Sequence, residues 1–164
     1  MIFSLPVDAE IVASICDRAR YDGIKIVTTN GVFDILHYGH LALLKYCAHK
    51  GDLLVVGINS NESVRRLGKG DNRPIQDSGH RAALVAGLKC VVMVVIFPEP
   101  DPCAFLEIVA PHIHVKGGDY DIESMPETEV VRKHGGVVKL FPLIKGLSTS
   151  SIIDRIRGEE ATDV

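Results

Sequence analysis

The sequence predicts an α/β fold with a mainly parallel, five-stranded sheet and helices on both of its faces. Three observations lead to it. Short runs of β-branched and apolar residues alternate with stretches of helical spacing, the pattern of consecutive βαβ units. The run Leu53 to Ile58 is almost continuously apolar, as expected of a strand covered on both sides in a parallel sheet. Gly, Asp and Asn gather where such runs end, at Asn30-Gly31, Gly68 to Pro74 and Gly117-Gly118, and mark the loops that leave the sheet.

Ala9 to Arg20 places Ile11, Val12, Ile15 and Cys16 at helical intervals behind Asp8, a capping residue, and predicts a lead-in helix within residues 1–22. Ile24 to Thr29 is the first strand, feeding a loop with Phe33 and Asp34, and a helix follows from Gly39 to His49. Leu53 to Ile58 is the second and central strand; a short helix covers Asn59 to Arg66, and helical spacing resumes from His80 to Lys89 after a loop expected to be mobile. Val91 to Phe97 is the third strand, ended by prolines 98, 100 and 102 before a helix from Pro102 to Val109. His112 to Lys116 and Val137 to Phe141 are the fourth and fifth strands, with helices at Glu127 to His134 and Ser148 to Arg157. Residues 1–158 read as one domain and 159–164 as a polar tail.

At 164 residues and 46% hydrophobic content the chain can bury one substantial core. Its 18 basic and 21 acidic residues, net −3, are spread along the sequence and form no basic footprint for nucleic acid, which leaves a small molecule as the expected partner. Cys16, Cys47, Cys90 and Cys103 follow no metal-like spacing and fit a reducing compartment. The opening residues lack a signal-peptide pattern and no apolar run reaches the ~20 residues of a membrane span, so a cytoplasmic protein without membrane contact is expected.

His37 and His40 stand three residues apart where a strand passes into a helix, so both imidazoles share the first helical turn with N–H groups that favour an anion. Gly39 and Gly31 leave room for a nucleotide at the backbone. Such preorganised donors suit transfer at an α-phosphate, where charge builds on non-bridging oxygens. Asp34 is placed to cap the helix or to orient His37. Arg65, Arg66, Lys69 and Arg73 would clamp the outer phosphates or form a solvated basic surface, and Arg81 at a helix start would reach phosphate. Lys116-Gly117-Gly118-Asp119 ends the fourth strand, with Asp119 able to accept from a ribose hydroxyl or a base, and Ser148-Thr149-Ser150-Ser151 opens the last helix as a cap or a second anion site. His112 and His114 share a strand face without a third ligand, which favours a structural role over a metal pair. Neither a Walker A sequence nor GxGxxG occurs.

The segments Thr29-Asn30-Gly31-Val32-Phe33-Asp34-Ile35-Leu36-His37-Tyr38-Gly39-His40, Val56 to Leu67, Arg73-Pro74-Ile75, Arg81, Val115 to Tyr120 and Gly146 to Ser150 together resemble the HxGH nucleotidyltransferase (cytidylyltransferase-like) superfamily, most closely its heptose 1-phosphate adenylyltransferases. The resemblance implies a Rossmann-like sheet, a Mg²⁺-bound nucleoside triphosphate with no side-chain metal ligand, release of pyrophosphate, a small phosphorylated acceptor and a homodimer. It implies catalysis by His37, His40, Lys69 and Arg81, and nucleotide contacts from Asn30, Gly31, Val32, Phe33, Gly39, Lys116, Gly117, Asp119, Ser148, Thr149 and Ser150. The chain departs from the pattern at Val91-Val92, at Glu99 to Pro102, at Glu127-Thr128, where a small pair is usual, and at Lys69, shifted by one inserted glycine. These positions bear on the acceptor rather than on the triphosphate. The expected reaction is nucleotidyl transfer from ATP to a sugar phosphate such as heptose 1-phosphate. The alternatives are a cytidylyltransferase using CTP on a small phosphate or phosphonate alcohol, against which Leu143 to Lys145 lacks the arginine usual there, and a non-catalytic nucleotide-binding regulator.

Overall fold

The structure, a computed structural model, describes residues 1–68 and 72–158. Lys69 and the tail 159–164 lie outside the described residues. The elements run β1 (Ile2–Ser4), α1 (Ala9–Tyr21), β2 (Ile26–Gly31), α2 (Tyr38–Ala48), β3 (Leu53–Asn59), α3 (Asn61–Arg66), α4 (Ser78–Ala86), β4 (Met93–Phe97), α5 (Cys103–Val109), β5 (Ile113–Gly117), a 3₁₀ turn (Ile122–Ser124), α6 (Pro126–Lys133), β6 (Val137–Phe141) and α7 (Thr149–Arg157). The sheet has six strands, not the expected five, in the order β1-β4-β3-β2-β5-β6, and every pairing is parallel. The unforeseen strand, β1, is three residues long and shows no usable alternation. Its place comes from backbone pairing with β4, as when Val94 N–H donates to Met1 C=O at 2.9 Å and Leu5 N–H to Ile96 C=O at 2.8 Å.

Alternation along the strands sends successive side chains to opposite faces. Ile26, Val55 and Met93 join α1, α5 and α6 in one core, through Val12, Phe105 and Val131, while Val27, Val56 and Val94 join α2 and α4 in the other, through Leu44 and Val85. In β3 all seven residues are buried, which accounts for its unbroken apolar run. Within it Gly57 is required by packing: a Cβ there would stand 2.9 Å from the Phe105 ring and 3.2 Å from that of Phe97.

His112 and His114 serve the sheet. Ile26 N–H donates to His112 Nδ1 at 3.0 Å, and Thr28 Oγ1 lies 2.9 Å from His114 Nδ1, so both rings tie β5 to β2.

The order of the strands locates the functional crevice. From β2 the chain passes through α2 to β3 on one side, and after β4 it crosses to pair β5 on the other side of β2. Loops leaving β2 and β5 therefore diverge toward opposite faces, and the gap between them at the carboxyl ends of the strands is where ligands bind in such sheets.

Candidate active site

A cleft of about 730 Å³ opens at that gap. Its chemistry begins with how α2 starts. His37 has an extended backbone and caps the helix itself, its Nδ1 accepting from Gly39 N–H at 3.1 Å. With Nδ1 so engaged, the proton of the neutral ring sits on Nε2 and makes that nitrogen a donor. Burial lowers the His37 pKa and favours this neutral form. The His40 ring stacks on His37 with centroids 3.8 Å apart, and Phe33 packs against His40 at 5.0 Å. Phe33 is buried in the left-handed region at φ 51°, an uncommon conformation for an aromatic residue that the surrounding packing imposes.

The two glycines expected to admit the nucleotide have closer reasons. A Cβ on Gly39 would lie 3.0 Å from His37 Nδ1 and Cε1, so glycine lets the imidazole fold back as a cap. At Gly31 a Cβ would lie 3.1 Å from the Phe33 ring. Both also line the cleft.

Leu147 brings a second helix start to the same place, because a Cβ at Gly39 would meet Leu147 Cβ at 3.6 Å. There the Ser148 hydroxyl accepts from Ser151 N–H at 3.0 Å, and Ser151 Oγ accepts from Ser148 N–H at 3.1 Å. The capping reading of Ser148 thus holds. Thr149 and Ser150 also line the cleft, and their N–H groups, at the first two helical positions, lack intrahelical acceptors as at any helix start. Two helix N-termini, one carrying stacked imidazoles, thus face one cavity.

Asp34 does neither of the things expected of it. It does not cap α2, and its carboxylate is fully buried, receiving Arg73 Nε at 2.6 Å and the N–H groups of Ile75 and Gln76 at 2.9 Å. Burial alone would raise its pKa; the Gln76 and Ile75 amides and the Arg73 guanidinium outweigh that and hold the carboxyl below its ordinary value. The signal for this latch was Arg73-Pro74-Ile75, 39 residues away, which no local pattern connects to Asp34. Arg73 lines the cleft, as expected of the basic loop, whereas exposed Arg65 and Arg66 do not, and Arg66 pairs with Glu62.

Arg81 also departs from expectation. It is fully buried and does not line the cleft; its guanidinium donates to Val32 C=O at 2.6 Å, Gln76 C=O at 3.0 Å and Asn61 Oδ1 at 3.0 Å. It fastens the loop after β2 to the loop before α4, because its position in the first turns of α4 turns the side chain inward. Asp119 is exposed and outside the cleft wall, where Tyr120 stands instead. Asn30, Val32, Phe33, Lys116 and Gly117 all line the cleft as expected.

The wall also holds Tyr120 and the apolar stretch Pro142-Leu143-Ile144, which sequence reasoning did not name as contacts, and Asp101 and Glu127, which it singled out only as departures bearing on the acceptor. Glu127 Oε1 receives Lys116 Nζ at 2.6 Å, and the same Nζ lies 3.4 Å from Asn30 Oδ1 and 5.7 Å from the Tyr120 ring. The available signal was Pro126 before Glu127, an acidic residue in a helix's first turn. Among the described residues no group of three or more His, Cys, Asp or Glu converges as a metal cage, and none of their helices is long and apolar enough to cross a membrane.

The cytidylyltransferase-like family model matches residues 28–155. Among curated proteins, the bifunctional protein HldE of Geobacter metallireducens is 46% identical over 144 residues, which cover 88% of this chain and 29% of that protein. HldE of Pseudomonas paraeruginosa is 46% identical over 141 residues, covering 86% and 30%. The chain thus spans less than a third of the length of these relatives. The crystal structure of the lipopolysaccharide core biosynthesis protein from Thermoplasma volcanium superposes with a TM-score of 0.63 at 33% identity, over 74% of this chain and 98% of that one. Pantoate-beta-alanine ligase from Francisella tularensis, complexed with beta-gamma ATP and beta-alanine, superposes with a TM-score of 0.59 at 16% identity, over 94% and 73%, a likeness of fold alone.

Proposed function

The chain belongs to the cytidylyltransferase-like family, and from that premise we propose that it is a nucleotidyltransferase that moves a nucleoside monophosphate from a triphosphate, ATP by preference, to a sugar phosphate such as heptose 1-phosphate. The observation that carries this reading is the stacked His37–His40 pair at the start of α2, beside the start of α7, in one cleft. The kinship with HldE and with a lipopolysaccharide core biosynthesis protein supports the sugar phosphate.

In the reaction an acceptor phosphate oxygen attacks the α-phosphorus in line, the bond from that phosphorus to the bridging oxygen breaks, and pyrophosphate leaves with the electron pair. Charge on the non-bridging oxygens meets His37 Nε2–H, the His40 ring and the N–H groups of Thr149 and Ser150. Arg73, held by Asp34, offers its remaining guanidinium donors to the outer phosphates, with Lys69 as a further cation; Arg81 acts from below by fixing Val32 and Gln76. The donors of the cleft suit the oxygens of a triphosphate, and with no cage of three or more His, Cys, Asp or Glu among the described residues a Mg²⁺ ion would be carried on those oxygens and would neutralise part of their charge. The apolar wall at Leu143 and Ile144 suits a base read by stacking and backbone groups, and adenine fits this better than a site built around an arginine. A cytoplasmic homodimer completes the reading.

Pyrophosphate release is the test, measured for each of the four triphosphates with Mg²⁺ against aldose 1-phosphates and phospho-alcohols. ATP with an aldose phosphate is expected to give the strongest signal. A signal confined to CTP and a phospho-alcohol would replace the acceptor and base, and tight triphosphate binding without pyrophosphate from any pairing would make the chain a nucleotide-binding regulator.

A further inference from the structure

The cleft is electrostatically two-sided. Where α2 and α7 begin, it presents imidazoles and N–H groups, all donors to anions. Around the ends of β5, α5 and α6 it presents two carboxylates, Asp101 and Glu127, against the ammonium of Lys116. A cavity that receives polyanions gains nothing at its phosphate positions from a carboxylate. Yet the Glu127 side chain is almost fully enclosed, 4% exposed against 18% for Lys116, and the two meet at 2.6 Å. Glu127 follows Pro126 in the first turn of α6, where the helix dipole favours a negative group, so the fold holds the carboxylate in place from its own side. Asp101 is fixed likewise, accepting Cys103 N–H at 2.9 Å.

Lys116 keeps three donors. One is spent on Glu127 and a second points at Asn30 Oδ1, which leaves one for a ligand. Beside it stands the half-exposed Tyr120 ring, an apolar face. Carboxylate acceptors, a single ammonium donor and an aromatic plane suit hydroxyls and carbon-bound hydrogens. A phosphate that reached Lys116 would stand next to the Glu127 carboxylate in a poorly screened pocket, where like charges repel strongly.

We propose that the Lys116–Glu127 pair is a charge filter for the acceptor: by neutralising Lys116 it makes this wall accept the uncharged, hydroxyl-bearing part of a sugar monophosphate and turn away a second phosphate. Glu127 is thus a specificity-determining residue. The filter rests on the nucleotidyltransferase reading for its acceptor, but its electrostatics do not depend on turnover.

The test compares an aldose 1-phosphate with the same aldose carrying a second phosphate on its terminal carbon. Binding to the full chain is followed by calorimetry and, with ATP and Mg²⁺, kcat/KM by pyrophosphate release. Wild type should prefer the monophosphate by at least about tenfold. Glu127→Gln, which leaves Lys116 as an unpaired cation, should bring the ratio to near parity through tighter binding and a lower KM of the bisphosphate. Glu127→Asp should retain the preference, and the double variant Lys116→Gln/Glu127→Gln, neutral again, should restore it. A merely structural pair predicts instead that every variant weakens both compounds equally, which would overturn the filter, as would wild-type indifference to the second phosphate. If Glu127→Gln does not fold, Glu127→Ala, which also leaves Lys116 unpaired, takes its place, and a ratio that stays at the wild-type value there overturns the filter. Pyrophosphate release from neither compound would defeat the transferase reading alone, because the binding ratios still judge the filter.

Discussion

Replacing Asp34 separates the two jobs its carboxylate performs. The side chain is fully buried and takes three donors, the Arg73 guanidinium and the amides of Ile75 and Gln76. Hydrogen bonds to a charged group contribute about 1.5–3 kcal/mol each, but they are not additive, and breaking a buried pair by removing one partner costs roughly 3–5 kcal/mol. Asp34→Ala should therefore lower stability by about 3–5 kcal/mol, the larger single figure governing, which for a chain of this size is a fall in Tm on the order of 6–20 °C. Asp34→Asn is the finer probe. Its amide oxygen can still accept from Ile75 and Gln76, while its NH₂ group faces Arg73 donor to donor, so the loop stays and Arg73 is released. The expected result is a loss of about 1–3 kcal/mol, with a rise of roughly tenfold in triphosphate KM from one lost charge-assisted contact. Urea unfolding gives the first quantity and pyrophosphate release the second. The carboxyl is held below its ordinary value of 3.8, so its contribution is fully present above that pH and is lost as pH falls through the folded value. Wild type should thus lose stability in that acid window more steeply than Asp34→Asn. If Asp34→Ala melts within about 2 °C of wild type, the latch carries no weight and the reasoning from its three donors is wrong.

Three further expectations follow from particular contacts. Gly39→Ala puts a methyl 3.0 Å from His37 Nδ1, so the imidazole must give by a few tenths of an ångström and its cap bond is strained; up to about 1 kcal/mol of stability should be lost, whereas His37→Ala should lower kcat by roughly 10²–10³, as for loss of one oxyanion donor, and an unchanged kcat in that variant would remove His37 from the mechanism. Gly57→Ala drives a methyl to 2.9 Å from the Phe105 ring and should cost about 1–3 kcal/mol by overpacking; Phe105→Leu in the same chain should recover part of it, and denaturant melts that show no recovery would place the strain elsewhere. His114 is enclosed and its pKa is pushed down to about 3 by burial and, less, by Lys116. Below its ordinary value of 6.5 the unfolded chain takes up the proton first, so stability should fall as pH drops from 6.5 toward 3, at up to about 1.4 kcal/mol per pH unit. Urea melts at a series of pH values should show a shallower slope for His114→Gln, and equal slopes would contradict a neutral buried ring.

Much of the fold was legible because its signals are local. The apolar run of β3 and the strand exits at Asn30-Gly31 and Gly117-Gly118 each depend on residues within one element. The sixth strand escaped because three residues carry no period, and its partner β4 lies some 90 residues away. The site divides along the same line. Of the residues expected on the loops leaving β2 and β5, Asn30, Val32, Phe33, Lys116 and Gly117 line the cleft and Asp119 does not; strand ends in a doubly wound sheet share one rim. Arg81 was misplaced because a basic residue near a helix start can face outward or inward, and only the register of α4 on the sheet turns it beneath the cleft.

What the sequence by itself determined is the order of the elements, the all but continuous burial of the central strand and the imidazole-bearing helix start at His37 to His40. These are set by nearest neighbours in the chain, where periodicity and capping act over a few residues. What only the tertiary structure decided is which polar and charged groups meet: Asp34 with Arg73, Lys116 with Glu127, and Arg81 with Val32 C=O. Each joins segments that no local pattern links, and each is fixed by the need of a buried charged or polar group to find a partner once the sheet has closed over it.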